Sequence, residues 1–269
     1  MLKLVRRASA VFKAYLLSEL VRSRGFIYVL LNIALWITMF SLPAYMFVEE
    51  PASIDTVATN MFTGIMIFLF YSMASWDWAA EIRWMINDGR IEYYIATGAG
   101  FLPHYLGILP VSLIWLLTSL LVNYAMLSII WTPPRIVIQN PLIFTYGFIL
   151  LVLTLLAYAL ILGGTMISTG VAGFIVEIIS FILPIATGGL IPLRSMPIMI
   201  QRFALLTPFS YPAEIIRDGF LGVEPVISIE ALLLLGTIYV GLFTVLGIMY
   251  FKYQLRRAMK TGFKTVSMW

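Results

Sequence analysis

Glu177 is the only carboxylate lodged inside a long apolar run of this 269-residue chain. An ionised carboxylate in hydrocarbon costs about 2.5–3.5 kcal/mol on insertion scales, so it must face protein or a cavity. Two roles follow for it. It contacts a substrate or ion, or it is a protonated or hydrogen-bonded carboxyl packed near Asn32, Asn60 or Tyr158. Glu177 and Asn60 are therefore the candidates for a solute path. His104, the single histidine, heads another apolar run and reads as an interfacial residue.

A second group sits in DWAAEIRWMINDGRIEYYIATGAGFL, residues 77–102. There Glu81, Arg83, Gly89, Arg90, Ile91, Glu92, Tyr93 and Tyr94 alternate charge with aromatic surface. Gly89 breaks the helical pattern, and Ile91, Tyr94 and Ile95 line a short second helix closed by Gly98. A helix–Gly–helix rich in exposed aromatics suits docking of a soluble protein. The plainer reading is a solvated connector. A third group is Glu214, Arg217 and Asp218, a polar cluster inside the Pro-punctuated stretch 191–230.

Much chemistry is excluded. The chain has no cysteine, so disulfides, thiolate metal sites and a cysteine nucleophile are absent. One histidine rules out multi-histidine metal centres and a His-Glu-x-x-His zinc motif. No Gly-x-x-x-x-Gly-Lys-Ser/Thr loop exists, since Lys264-Thr265 follows Phe263. Asp88-Gly89-Arg90 and Asp218-Gly219 invite comparison with lipid phosphotransferases, but no later Asp pair follows at suitable spacing. No catalytic or metal site is expected.

The elements that position these residues are written in the composition. Hydrophobic residues make up 61% of the chain and charged ones 11%, with a mean hydropathy of +0.98. Such a chain cannot cover a water-facing surface. A helix needs about 20 apolar residues to cross ~30 Å of hydrocarbon. Six runs have that length: Phe26–Met46, Val57–Trp76, His104–Ile130, Pro141–Ile167, Val171–Leu190 and Ala231–Phe251. They are continuous rather than alternating, which favours helices over a barrel. The expected fold is an all-α integral membrane protein forming one domain over residues 1–269.

Lys and Arg orient it. Six precede residue 26 (Lys3, Arg6, Arg7, Lys13, Arg22, Arg24), Arg83 and Arg90 lie in 77–102, and five follow 251 (Lys252, Arg256, Arg257, Lys260, Lys264). The opposite side carries only Arg135, Arg194, Arg202 and Arg217. Both termini are expected in the cytoplasm of a cell (plasma or inner) membrane. Residues 1–25 form a basic amphipathic helix that lies along the inner leaflet and its anionic lipid, with Gly25 placed to end it. In 191–230, Pro197 and Pro212 open short helices and Gly222 ends one, giving an external lid or re-entrant hairpin before the last span. Residues 252–269 are a basic tail.

In this order the chain resembles the membrane permease subunit of ABC-2 type transporters. The carriers are Glu81 followed by Gly89-Arg90-Ile91-Glu92-Tyr93, and the stretch Gly189–Gly222 with Ile191-Pro192, Met196-Pro197, Thr207-Pro208, Tyr211 and Arg217 to Gly219. Ala96-Thr97-Gly98 stands where family members often carry Thr-Pro. The resemblance implies a half-transporter whose coupling helix lies within 81–97. It implies two permease subunits, as a homodimer or heterodimer, and a pair of ABC ATPase subunits that bind ATP and Mg. The chain would then be no enzyme by itself. Its cargo would be hydrophobic or amphipathic and would leave by ATP-driven export or flipping, with no nucleic acid involved. A different class is a secondary transporter or channel using Glu177 as its ion or proton site, although the two three-span halves show no internal repeat.

Overall fold

Continuous apolar runs offer the backbone no water to bond to, so it must satisfy its own N–H and C=O groups within helices. The computed structural model describes residues 2–46, 54–97, 101–169 and 173–262, and every regular element among them is helical. Gly98 and Lys264 lie outside the described residues. The helices are α1 (Leu2–Tyr15, prolonged by a π-helical turn Leu16–Val21), α2 (Gly25–Met46), α3 (Ile54–Met73), α4 (Ala80–Asn87), α5 (Arg90–Ala96) and α6 (Phe101–Ile130). They continue with α7 (Pro141–Thr169), α8 (Gly173–Ala186), α9 (Ile198–Leu205), α10 (Ser210–Leu221) and α11 (Ile229–Thr261).

Among the described residues, four stretches are long and apolar enough to cross a membrane: Ile54–Asn87, Pro103–Ile130, Pro141–Ile167 and Ile229–Thr261. A fifth results if α1 and α2, bent by 69° at their junction, count as one span. Three expectations change here. Gly25 opens α2 instead of closing α1, its N–H donating to the Ser23 hydroxyl at 3.0 Å. The span expected at Val57–Trp76 runs on through a π-helical turn, Ala74–Ala79, into α4, giving one helix of 34 residues. Of the span expected at Val171–Leu190, the described helix is Gly173–Ala186, and the chain leaves the helix before Leu190.

The chain forms two compact units. One comprises Met1–Phe62 and Gly89–Arg135. In it α1 and α2 lie on α6: Phe26 meets Trp115 at 4.6 Å, and the Trp115 indole N–H donates to Glu19 Oε2 at 3.3 Å. At the far end of α6, the Arg135 backbone N–H donates to the Thr59 hydroxyl at 3.0 Å, and its guanidinium pairs with Asp55 at 2.6 Å.

The other unit comprises Thr63–Asp88 and Ile136–Trp269. Helix α7 is its centre, with α10 and α11 packed along it. Leu150, Tyr211, Ile215, Leu232 and Val240 form the buried core of this contact. Local sequence fixes the helix starts. The Asn140 side-chain oxygen accepts from Leu142 and Ile143 N–H, each at 3.2 Å, and Ser228 Oγ accepts from Ala231 N–H at 3.4 Å. These are N-caps, satisfying donors that have no partner inside the helix.

Candidate functional site

The helical pattern of 77–102 breaks where the sequence requires it. Gly89 has φ +68°, a left-handed conformation that costs a side-chain-bearing residue about 1–2 kcal/mol. On α4, Glu81 is 8% exposed and Ile82, Met85 and Ile86 are buried, leaving Trp84 and Asn87 as its open face. The Arg83 guanidinium lies over the Trp84 ring, 5.1 Å from its centroid. On α5, Ile91 is buried, whereas Glu92 and Tyr93 face out, Tyr93 at 74%. Sequence reasoning did not name Trp84, which a helix register through Ile82, Met85 and Ile86 would have exposed.

Arg90 and Tyr94 turn inward. Arg90 Nη1 donates to the Tyr15 hydroxyl at 3.1 Å, and the Tyr94 hydroxyl shares a 2.7 Å hydrogen bond with His104 Nδ1. Tyr15 and Tyr94 both meet the His104 ring edge-on, at 5.7 and 5.1 Å. His104 is 1% exposed. It is thus a packed joint between α5 and α6. Two polar aromatics ten residues apart carry no periodic signature, which is why sequence did not pair them.

The polar cluster on α10 is deeply buried. Arg217 is 1% exposed, and its Nη2 donates to two backbone carbonyls, Gly188 at 3.0 Å and Gly189 at 2.8 Å. Those carbonyls follow the end of α8, where helix carbonyls have no partner of their own and a positive charge is favoured. Gly64 makes room for this turn: a Cβ there would lie 2.2 Å from the Leu190 carbonyl oxygen. Arg217 Nε and Nη1 have no hydrogen-bond partner among the described residues. Glu214, one turn earlier, accepts from Leu193 N–H at 3.1 Å. Beside them the Tyr71 hydroxyl donates to the Phe209 carbonyl at 3.2 Å and lies 3.4 Å from the Thr187 hydroxyl.

Electrostatics follow from this burial. Desolvation lowers the Arg217 guanidinium to about 10, a shift that Glu214 opposes. Desolvation also raises the Glu214 carboxyl, against the Leu193 N–H and Arg217, and raises Asp218. The arrangement holds a charged brace across a helix end. It brings no nucleophile and base together, and among the described residues no cluster of His, Asp or Glu could hold a metal.

The path candidates separate. Asn60 is half-buried, with its side-chain oxygen enclosed and without a hydrogen-bond partner among the described residues. Glu177 lies on α8, but its side chain is outside the described residues. Tyr158, one partner considered for it, accepts a hydrogen bond from Ser75 Oγ at 3.3 Å. No protein-family model matches the sequence, and no curated protein matches it.

Proposed function

We propose that this chain is the membrane-spanning permease subunit of an ABC-2 type transporter. Six spans would be α2, α3, α6, α7, α8 and α11, with α1 along the inner leaflet, both termini cytoplasmic, and α9–α10 an external hairpin. The supporting observation is the interrupted helix between two apolar spans, where Gly89 divides α4 from α5 and Trp84, Glu92 and Tyr93 are left exposed. Exposed aromatics beside charge are what a docking surface needs.

In this reading segment 81–97 meets a separate ABC ATPase, which binds ATP and Mg. Nucleotide-driven movement of that partner tilts the segment, and with it α3 and α6. A second permease subunit completes the path. The cargo is a hydrophobic or amphipathic molecule moved outward.

The test is affinity isolation of the tagged, intact chain from its native membrane. An ABC ATPase carrying a phosphate loop is expected to co-purify in fixed stoichiometry, and to be lost with Glu92→Arg or Tyr93→Ala while insertion stays normal. The purified chain alone is expected to hydrolyse no ATP. Stoichiometric hydrolysis by the isolated chain would sink the proposal, as would flux driven by an ion gradient with no ATPase present.

A further inference from the structure

Helix α11 is longer than a bilayer requires. Its apolar portion, 231–251, spans about 31 Å, and the helix continues through 252–261 for a further ~15 Å. The extension has two unlike faces. Phe251, Gln254 and Ala258 are buried and recur at helical spacing, so this stripe lies against the protein. On the opposite arc Lys252, Arg256, Arg257 and Lys260 are all exposed. No Asp or Glu occurs between Glu230 and the end of the helix. None of the four cations has an ion-pair partner among the described residues. Tyr253, 61% exposed, lies on the same arc at the level where aromatic residues favour the membrane interface.

The geometry points to a binding face for the phosphate groups of anionic phospholipids on this extension of α11. The headgroup layer occupies about 5–8 Å on each side of the hydrocarbon. Lys252, Arg256 and Arg257 fall within or at the edge of that layer, and Lys260 lies about one turn beyond, where its long stem bends back toward it. Four cations on one arc, with no internal carboxylate to neutralise them, complement a row of headgroup phosphates. Each basic residue near an anionic surface contributes about 1 kcal/mol, and clusters of four or more just outside a span are enough for selective binding. The face is distinct from the basic N-terminal helix and does not depend on the transporter reading.

The test is native mass spectrometry of the intact, delipidated chain in detergent, titrated with dioleoyl phosphatidylglycerol or dioleoyl phosphatidylcholine. Wild type is expected to retain phosphatidylglycerol preferentially, and raised salt should weaken that preference. The variant Arg256→Gln/Arg257→Gln/Lys260→Gln should lower the preference by about a hundredfold, at ~1 kcal/mol for each of the three charges lost. Because these side chains are exposed, its melting temperature should match wild type. Arg256→Lys/Arg257→Lys should keep the preference, which separates charge from shape. Equal retention of both lipids by wild type, or an unchanged preference in the triple Gln variant, overturns the inference. Equal competition by inorganic phosphate reassigns the face to free anions and overturns the lipid claim.

Discussion

Arg217 and Glu214 sit one turn apart on a helix that water barely reaches, and both are displaced toward their neutral forms. Burial raises the folded-state Glu214 carboxyl above its ordinary 4.5. The stabilising contribution of this group is therefore complete below that ordinary value, and it is lost as pH rises through the raised value. Thermal unfolding in detergent should show stability falling from weakly acidic pH upward. Glu214→Gln keeps an acceptor for Leu193 N–H and should flatten that slope; an unchanged slope would assign it to other groups. Arg217 has the opposite sign, but at about 10 it stays cationic at neutral pH. Arg217→Lys keeps the charge and loses the planar fork that reaches Gly188 and Gly189 together, so it should destabilise by about 1–2 kcal/mol. Sequence singled out Arg217 because a cation among apolar neighbours is conspicuous. It could not name the acceptors, since a backbone carbonyl has no residue type.

Helix positions were legible because hydropathy reports where side chains leave water. It is silent about where the backbone stops being helical. Residues 171–190 read as one span because every side chain is apolar or small except Glu177. The chain nevertheless leaves the helix after Ala186, and Gly188 at φ +80° turns it. The reverse error occurs at α4 and α11, where amphipathic turns prolong a span without prolonging its apolar run. The two π-helical turns, Leu16–Val21 and Ala74–Ala79, have no compositional signal at all. Gly89 is an element boundary that sequence and structure both mark, as is Gly222 after α10. Gly89→Ala should cost about 1–2 kcal/mol of stability from its left-handed backbone, measured by thermal unfolding against an Asp88→Ala control. A loss no greater than the control would show that α4 and α5 tolerate another turn.

At the scale of the molecule, the all-helical architecture follows from composition, whereas its sidedness rests on charge counting. The absence of native cysteine makes sidedness directly measurable. Single cysteines at Asp88 and at Glu224, which is 82% exposed, should label from opposite faces of a sealed vesicle, Glu224→Cys from outside and Asp88→Cys from inside. Labelling from the same face would refute the arrangement of spans. The early end of α8 has a further, elastic consequence. Stopping at Ala186, it ends about 6 Å before the apolar run does, and that end is finished by a charged guanidinium. Lipid beside it must thin or tilt to cover the remainder, at fractions of a kcal/mol per Å. The protein should accordingly melt at higher temperature in bilayers of 14-carbon chains than in those of 18-carbon chains. In a membrane of uneven thickness, it should gather where the bilayer is thinnest.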